Sequence, residues 1–172
     1  MSSVTVINIV FPPSKRPIHP QGFGYLVPRP VGGYGKANSG FLGTVFDSCS
    51  LEAQDTGEPG FTKLTVMMGG PYELTSGHTK MENVLAQLQH HLSPINHRQG
   101  GSRLPWPVYY EVIEQKECIP LPLVGHVGRM EEMKAWLMKG PWNGRLRVIG
   151  AGVDGVSVGD CVEAGKKVGS DW

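Results

Sequence analysis

The chain has 172 residues, enough for one domain, which if complete would bury roughly 70% of its extended surface. Lys and Arg number 16 against 15 Asp and Glu, for a net charge of +1 with no long basic run. The sequence-independent term of nucleic-acid binding therefore has little to draw on, and no nucleic-acid partner is expected. Cys49, Cys118 and Cys161 are far apart, which gives no disulfide framework and suits a reducing compartment. No apolar run is long enough to span a bilayer, and the N-terminus resembles neither a signal peptide nor an Arg-rich transit sequence.

Val4 to Phe11, reading VTVINIVF, is β-branched and apolar at both alternating positions. It predicts a strand buried on both faces, with Asn8 its most polar member, ended by Pro12 and Pro13. Such a strand so near the start suggests a chain that begins inside a domain. A short strand follows at Phe23 to Val27, a Pro/Gly loop at 28–40, a third strand at Phe41 to Asp47 and a polar loop at 50–60. Thr62 to Met68 alternates, with Leu64, Val66 and Met68 on one face and Lys63, Thr65 and Met67 on the other. Strands joined by turns in this way predict a mostly antiparallel sheet.

Thr79 to Leu92 is the best helix, with Met81, Val84, Leu85, Leu88 and Leu92 on one stripe. Ser93-Pro94 is expected to end it, before a loop at 95–105. A strand over Val108 to Gln115 and a helix over Met130 to Met138 follow, the latter striped by Met130, Met133, Trp136 and Leu137. Repeats and composition breaks are absent.

The stretch Leu146 to Ala164, LRVIGAGVDGVSVGDCVEA, carries the most information. Leu146, Val148 and Ile149 suit a buried strand. Gly150, Gly152 and Gly155 are spaced G-x-G-x-x-G, and a helix from about Val156 to Val168 can follow. A dinucleotide fingerprint would need a second strand with an acidic residue about 20 positions on, and too little chain remains. Three readings stay open: a chance match, a tight packing turn, or the last strand and helix of a nucleotide domain whose first part lies elsewhere. Ser157 sits in a G-x-S-x-G pattern, but no His follows it to complete a triad. It reads as a helix N-cap, with Asp160 and Glu163 as first-turn acids that suit the helix dipole.

Other candidates are weak. His90 and His91 are adjacent on a helix, which is not metal spacing, and His78, His97 and His126 are scattered. The cysteines have no base nearby in sequence and read as packing thiols. No residue stands out as a general base, nucleophile or metal ligand, so any reactive atoms would belong to a cofactor.

Several segments together resemble the C-terminal part of the oxygen-dependent protoporphyrinogen oxidases, flavoproteins of the amine-oxidase-like group. They are QGFGYLVPRP at 21–30, FLGTVFDSCS at 41–50, KLTVMMGGPY at 63–72, QKECIP at 115–120, VGHVGRM at 124–130 and GVSVGDCVEAGK at 155–166. GFGYLVP and GVSVGDCVEAGK are the most specific, and the SGFLGTVFDSCS wording is most like fungal members. The segments come in the family's order and, with intervening strands, cover nearly the whole chain.

The resemblance implies an α+β fold: a mostly antiparallel substrate-domain sheet with two to three helices, then the closing strand and helix of an FAD/NAD(P)-binding domain, the whole being incomplete. Residues 1–122 would be the substrate-domain portion and 123–172 the return into the FAD domain. FAD is the implied cofactor, with Gly155, Val156, Ser157, Val158 and Val127 at flavin-contact positions. Asp154 and Gly155 lead into the flavin contact, and Val127 stands where the family often has Trp. Phe23, Leu26 and Met67 match walls of the apolar porphyrinogen cleft. Ordinary sheet packing is the alternative for those three. The implied reaction is hydride removal by the flavin in three two-electron steps, with oxygen as final acceptor, converting protoporphyrinogen IX to protoporphyrin IX in haem biosynthesis. No catalytic side chain and no metal are implied. Peripheral association with the mitochondrial inner membrane is the family expectation, and a homodimer is left open. The family's N-terminal dinucleotide motif, membrane-associating helices and propionate-binding arginine have no counterpart here. A C-terminal fragment that does not hold FAD tightly alone is therefore expected. The competing class is a non-catalytic module that binds a tetrapyrrole or a protein.

Overall fold

The computed structural model describes residues 1–33, 39–54, 60–98 and 103–170. Parts of the three predicted loops, at 34–38, 55–59 and 99–102, lie outside the described residues, as does the side chain of His97. Five strands form one sheet: β1 Ser2–Phe11, β2 Gly24–Leu26, β3 Phe41–Val45, β4 Thr62–Gly69 and β5 Tyr109–Ile119. Their order is β2-β3-β4-β1-β5, and the β1–β4, β2–β3 and β3–β4 pairs are antiparallel. Four α-helices and a short 3-10 turn at Glu52–Gln54 complete the described elements: the single turn α1 Asp47–Ser50, α2 Met81–Arg98, α3 His126–Lys139 and α4 Val158–Ser170. The α+β class with a mostly antiparallel sheet is as the sequence predicts.

The core follows from two periodicities. Leu64, Val66 and Met68 of β4 face Ile7, Ile9 and Phe11 of β1 and Phe41 of β3, all nearly or fully buried. The α2 stripe of Met81, Val84, Leu88 and Leu92 closes over them. Each fully buried side chain of this size contributes about 1.5–3 kcal/mol relative to exposure. At its start, α2 is tied down where Asn83 Nδ2 donates to the Gly77 carbonyl at 2.7 Å.

Several expectations need correction. β1 is buried along the whole of one face only; on the other, Val4 is buried but Val6, Asn8 and Val10 are half-buried, because α2 covers a single side of the sheet. The helix does not stop at Ser93-Pro94 but runs to Arg98; proline removes one N–H from the ladder, yet its fixed φ is helical. The third strand ends at Val45, and Asp47 opens α1 instead. The later helices start at His126 and Val158, rather than at Met130 and Val156.

By chain contacts the fold divides into two compact units, Ser3–Lys116 and a second made of Met1–Ser2 with Glu117–Trp172. In the second, the predicted strand Leu146–Ile149 forms no ladder among the described residues, and Leu146, Val148 and Ile149 are exposed. Its apolar pattern is that of a strand, but a strand exists only through the backbone partner it pairs with. A cavity of about 380 Å³ opens between this segment, α3 and α4, with Leu137, Ile149 and Val168 among its walls.

Candidate functional site

The sheet has a second face, and the sequence-predicted substrate residues lie there. Leu26 of β2 pairs with Gly43 of β3, Gly43 pairs with Met67 of β4, and Met67 pairs with Val6 of β1. Directly paired residues share a face, so Leu26, Gly43, Met67 and Val6 form one row across four strands. None of them belongs to the buried core cluster.

A β-bulge makes this row. Phe41 is opposite Met68 and Gly43 opposite Met67, with the register shifting between them. Without the extra residue, Phe41 and Gly43 would point the same way. With it, Phe41 enters the core and Gly43 joins Met67 on the other face. Gly43 contributes no side chain to the row. A Cβ there would lie 2.6 Å from the Tyr25 carbonyl oxygen and 3.0 Å from Leu26 Cδ2, so β2 and β3 approach closely only because no side chain intervenes. Leu26 is 79% exposed and Phe23, just before β2, is 73% exposed. Phe23 is held through its backbone, its carbonyl accepting from Phe46 N–H at 2.8 Å.

Sequence reasoning did not find the polar cluster beside this row. Thr65 Oγ1 is 2.7 Å from Asp47 Oδ2 and 3.1 Å from Asn8 Oδ1. Thr65 shares the Met67 face by alternation, and Asn8 is its cross-strand partner. Asp47 arrives from α1, 18 positions away in sequence, which no local pattern reveals.

Behind the sheet edge, on the core side, Tyr25 Oη lies 3.0 Å from His91 Nδ1. The rings of Tyr25 and Phe41 meet His91 edge-on. Burial, and secondarily the neighbouring His90, holds His91 below the usual histidine range, while burial pushes the Tyr25 phenol up. Both effects favour the neutral forms of the pair.

The predicted flavin-contact residues all belong to the second unit. Val127 sits in the first turn of α3, 71% exposed. Gly155, Val156, Ser157 and Val158 lead into α4, with Val158 82% exposed. Ser157 caps α4 as its sequence suggests: Asp160 N–H donates to Ser157 Oγ at 3.0 Å, and Ser157 N–H donates to Asp160 Oδ2 at 3.1 Å. This is a reciprocal capping box. Hydrogen bonding from the Ser157 hydroxyl and, secondarily, from the Ser157 N–H holds the Asp160 carboxyl below the usual carboxylate range.

Of the three fingerprint glycines, Gly150 and Gly152 face open space, whereas a Cβ on Gly155 would lie 2.5–2.7 Å from the Asp160 side chain, its carboxylate nearest. At φ +150° this position also disfavours other residues. Gly155 therefore makes room for the capping carboxylate rather than for a pyrophosphate. That carboxylate already stands at the helix start, so a dianionic phosphate group does not fit there. A neutral carbonyl edge does, because the first-turn N–H groups of Val158 and Gly159 have no intrahelical acceptor.

Among the described residues, no group of three or more His, Cys, Asp or Glu side chains gathers as metal ligands. No helix among them is long and apolar enough to cross a membrane.

An open-faced antiparallel sheet with one helix behind it, followed by a turn-helix unit, matches over 99% of this chain a solved structure from Exiguobacterium sp. 255-15. That protein is provisionally assigned as a protoporphyrinogen oxidase; the TM-score is 0.64 at 18% identity, and the match covers 34% of its chain. The shared feature is therefore the fold. No protein-family model matches the chain. The chain is 32% identical over 168 residues to the protoporphyrinogen oxidase of Homo sapiens, and 34% identical over 172 residues to that of Schizosaccharomyces pombe. These alignments take in 96% and 95% of the chain. The chain is thus related to the protoporphyrinogen oxidases along nearly its whole length, as the sequence segments indicate. It spans about a third of the length of these curated relatives, 32% and 31%.

Proposed function

We propose that the chain supplies the substrate-side sheet and the flavin-side helix start of an FAD-dependent oxidation of protoporphyrinogen IX to protoporphyrin IX in haem biosynthesis. The observation that carries this is the row Leu26–Gly43–Met67 on an open sheet face. It is apolar, flat and interrupted by a residue without a side chain, as a flat tetrapyrrole requires. In this reading residues 1–122 are the substrate-domain portion, 123–172 return towards an FAD-binding domain, and Phe23 lines the end of the substrate wall.

Bound FAD would supply the two-electron acceptor, with oxygen reoxidising it. Leu26 and Met67 would hold the ring and keep water from it. The first-turn N–H groups after Ser157 would donate to a carbonyl edge of the flavin, with Gly155, Val156 and Val127 beside it. No side chain of this chain is assigned a proton-transfer role. The remainder of such an enzyme, including its pyrophosphate contacts, is expected to come from a longer polypeptide. Peripheral association with the mitochondrial inner membrane belongs to that longer protein.

Two titrations of the purified chain test this reading. Protoporphyrin should bind with a fluorescence change that Leu26→Asp and Met67→Asp each abolish without unfolding the chain. Excess FAD should be lost completely on dialysis. Retained, protein-shifted flavin absorbance would show that the chain holds a cofactor site by itself and call for an oxidase assay. Porphyrin binding unaffected by both substitutions would sink the substrate-wall assignment.

A further inference from the structure

One row along from Leu26, Gly43 and Met67, the paired residues are Val45, Thr65 and Asn8. Positions two apart on a strand are about 7 Å apart, so a flat ring laid on the first row extends over the second. There the polar cluster is organised by Thr65. Its hydroxyl has one proton, and the shorter contact, 2.7 Å, goes to Asp47 Oδ2. Asn8 Oδ1, at 3.1 Å, is the longer alternative acceptor for the same proton.

Asp47 Oδ1 accepts no hydrogen bond among the described residues. Nor is the Asp47 charge required to fasten α1 to β4. Ser48 does that, accepting from Lys63 N–H at 2.7 Å and donating to the Phe61 carbonyl. The result is an anionic acceptor held in one orientation beside an apolar surface.

We propose that Asp47, oriented by Thr65, accepts hydrogen bonds from the pyrrole N–H groups of a reduced tetrapyrrole, and so makes this face prefer the porphyrinogen over the planar porphyrin. The proposal rests on the tetrapyrrole reading of the face given above. In a porphyrinogen the four bridging carbons are saturated and tetrahedral, so the ring puckers and its N–H groups can turn to one side. In a planar porphyrin the N–H groups lie in the ring plane and point at its centre, next to nitrogen lone pairs that repel a carboxylate. An acceptor under the ring therefore bonds the first and not the second. Such a surface holds substrate and releases product. Asp47 contacts the ligand, and Thr65 is a positioning residue.

The test is competition under anaerobic conditions, with protoporphyrin as the fluorescent probe and protoporphyrinogen as competitor. The unsubstituted chain should bind protoporphyrinogen at least about tenfold more tightly, the factor expected of one charge-assisted hydrogen bond. Asp47→Asn and Thr65→Val should each bring that ratio close to one while changing protoporphyrin affinity by no more than about twofold. Thr65→Ser, which keeps the hydroxyl, should retain the preference. A ratio unchanged in both variants overturns the proposal, as does a parallel loss of both affinities, which marks a purely structural role. If protoporphyrin binds and Leu26→Asp abolishes it, but the reduced form is not preferred, the proposal falls and the tetrapyrrole reading stands. If neither ligand binds the unsubstituted chain, both fall.

Discussion

Ser157 shows how much one side chain decides at the start of α4. It satisfies the Asp160 N–H and is bonded in return by the Asp160 carboxylate. Ser157→Ala is expected to cost about 1 kcal/mol of local helix stability, read as faster amide exchange in the first turn of α4. Gly155→Ala is expected to be worse than a cap loss: it forces a Cβ into the Asp160 carboxylate at an unfavourable φ. A larger drop in the thermal midpoint than for Ser157→Ala is the outcome to look for. His91 acts at the same scale on the other unit. Its folded pKa is lowered by burial, so the unfolded chain binds the proton more readily. Stability is then full above the unfolded histidine pKa and is lost as pH falls through it towards the folded value. Thermal midpoints between pH 5 and 8 should fall on acidification, and His91→Phe should flatten that slope.

At the scale of elements, the two faces of the sheet carry different kinds of consequence. Leu88 is fully buried against the sheet, and Leu88→Ala should cost about 2–5 kcal/mol. Leu26 is largely exposed, and Leu26→Ala should stay within about 0.5 kcal/mol while weakening porphyrin binding. Urea unfolding beside a porphyrin titration separates the two; equal losses of stability would contradict the one-sided sheet. The α2 stripe and the β4 alternation were legible in sequence because periods of 3.6 and 2 are local properties. The bulge between Phe41 and Gly43 was not. It changes the phase of β3 against β4, and phase is defined only once the two strands are paired.

For the whole molecule, the distribution of apolar surface matches the chain's one-third share of its relatives. Val158 and Val127 are largely exposed, and Leu146–Ile149 has strand character without a described partner. Co-expression with the preceding two thirds of a relative should protect the backbone amides of Leu146–Ile149 from exchange, whereas the isolated chain should leave them unprotected. Unchanged exchange on co-purification would argue against a strand role for that segment. The sequence alone determined the α+β class, the apolar faces of β4 and α2, the Ser157 cap and the kinship, because each rests on residues close together in the chain. Only tertiary structure decided that Leu26, Gly43 and Met67 share a row and that Asp47 reaches Thr65. Those facts depend on strand pairing and on side chains that meet across the fold, and neither is encoded in any single segment.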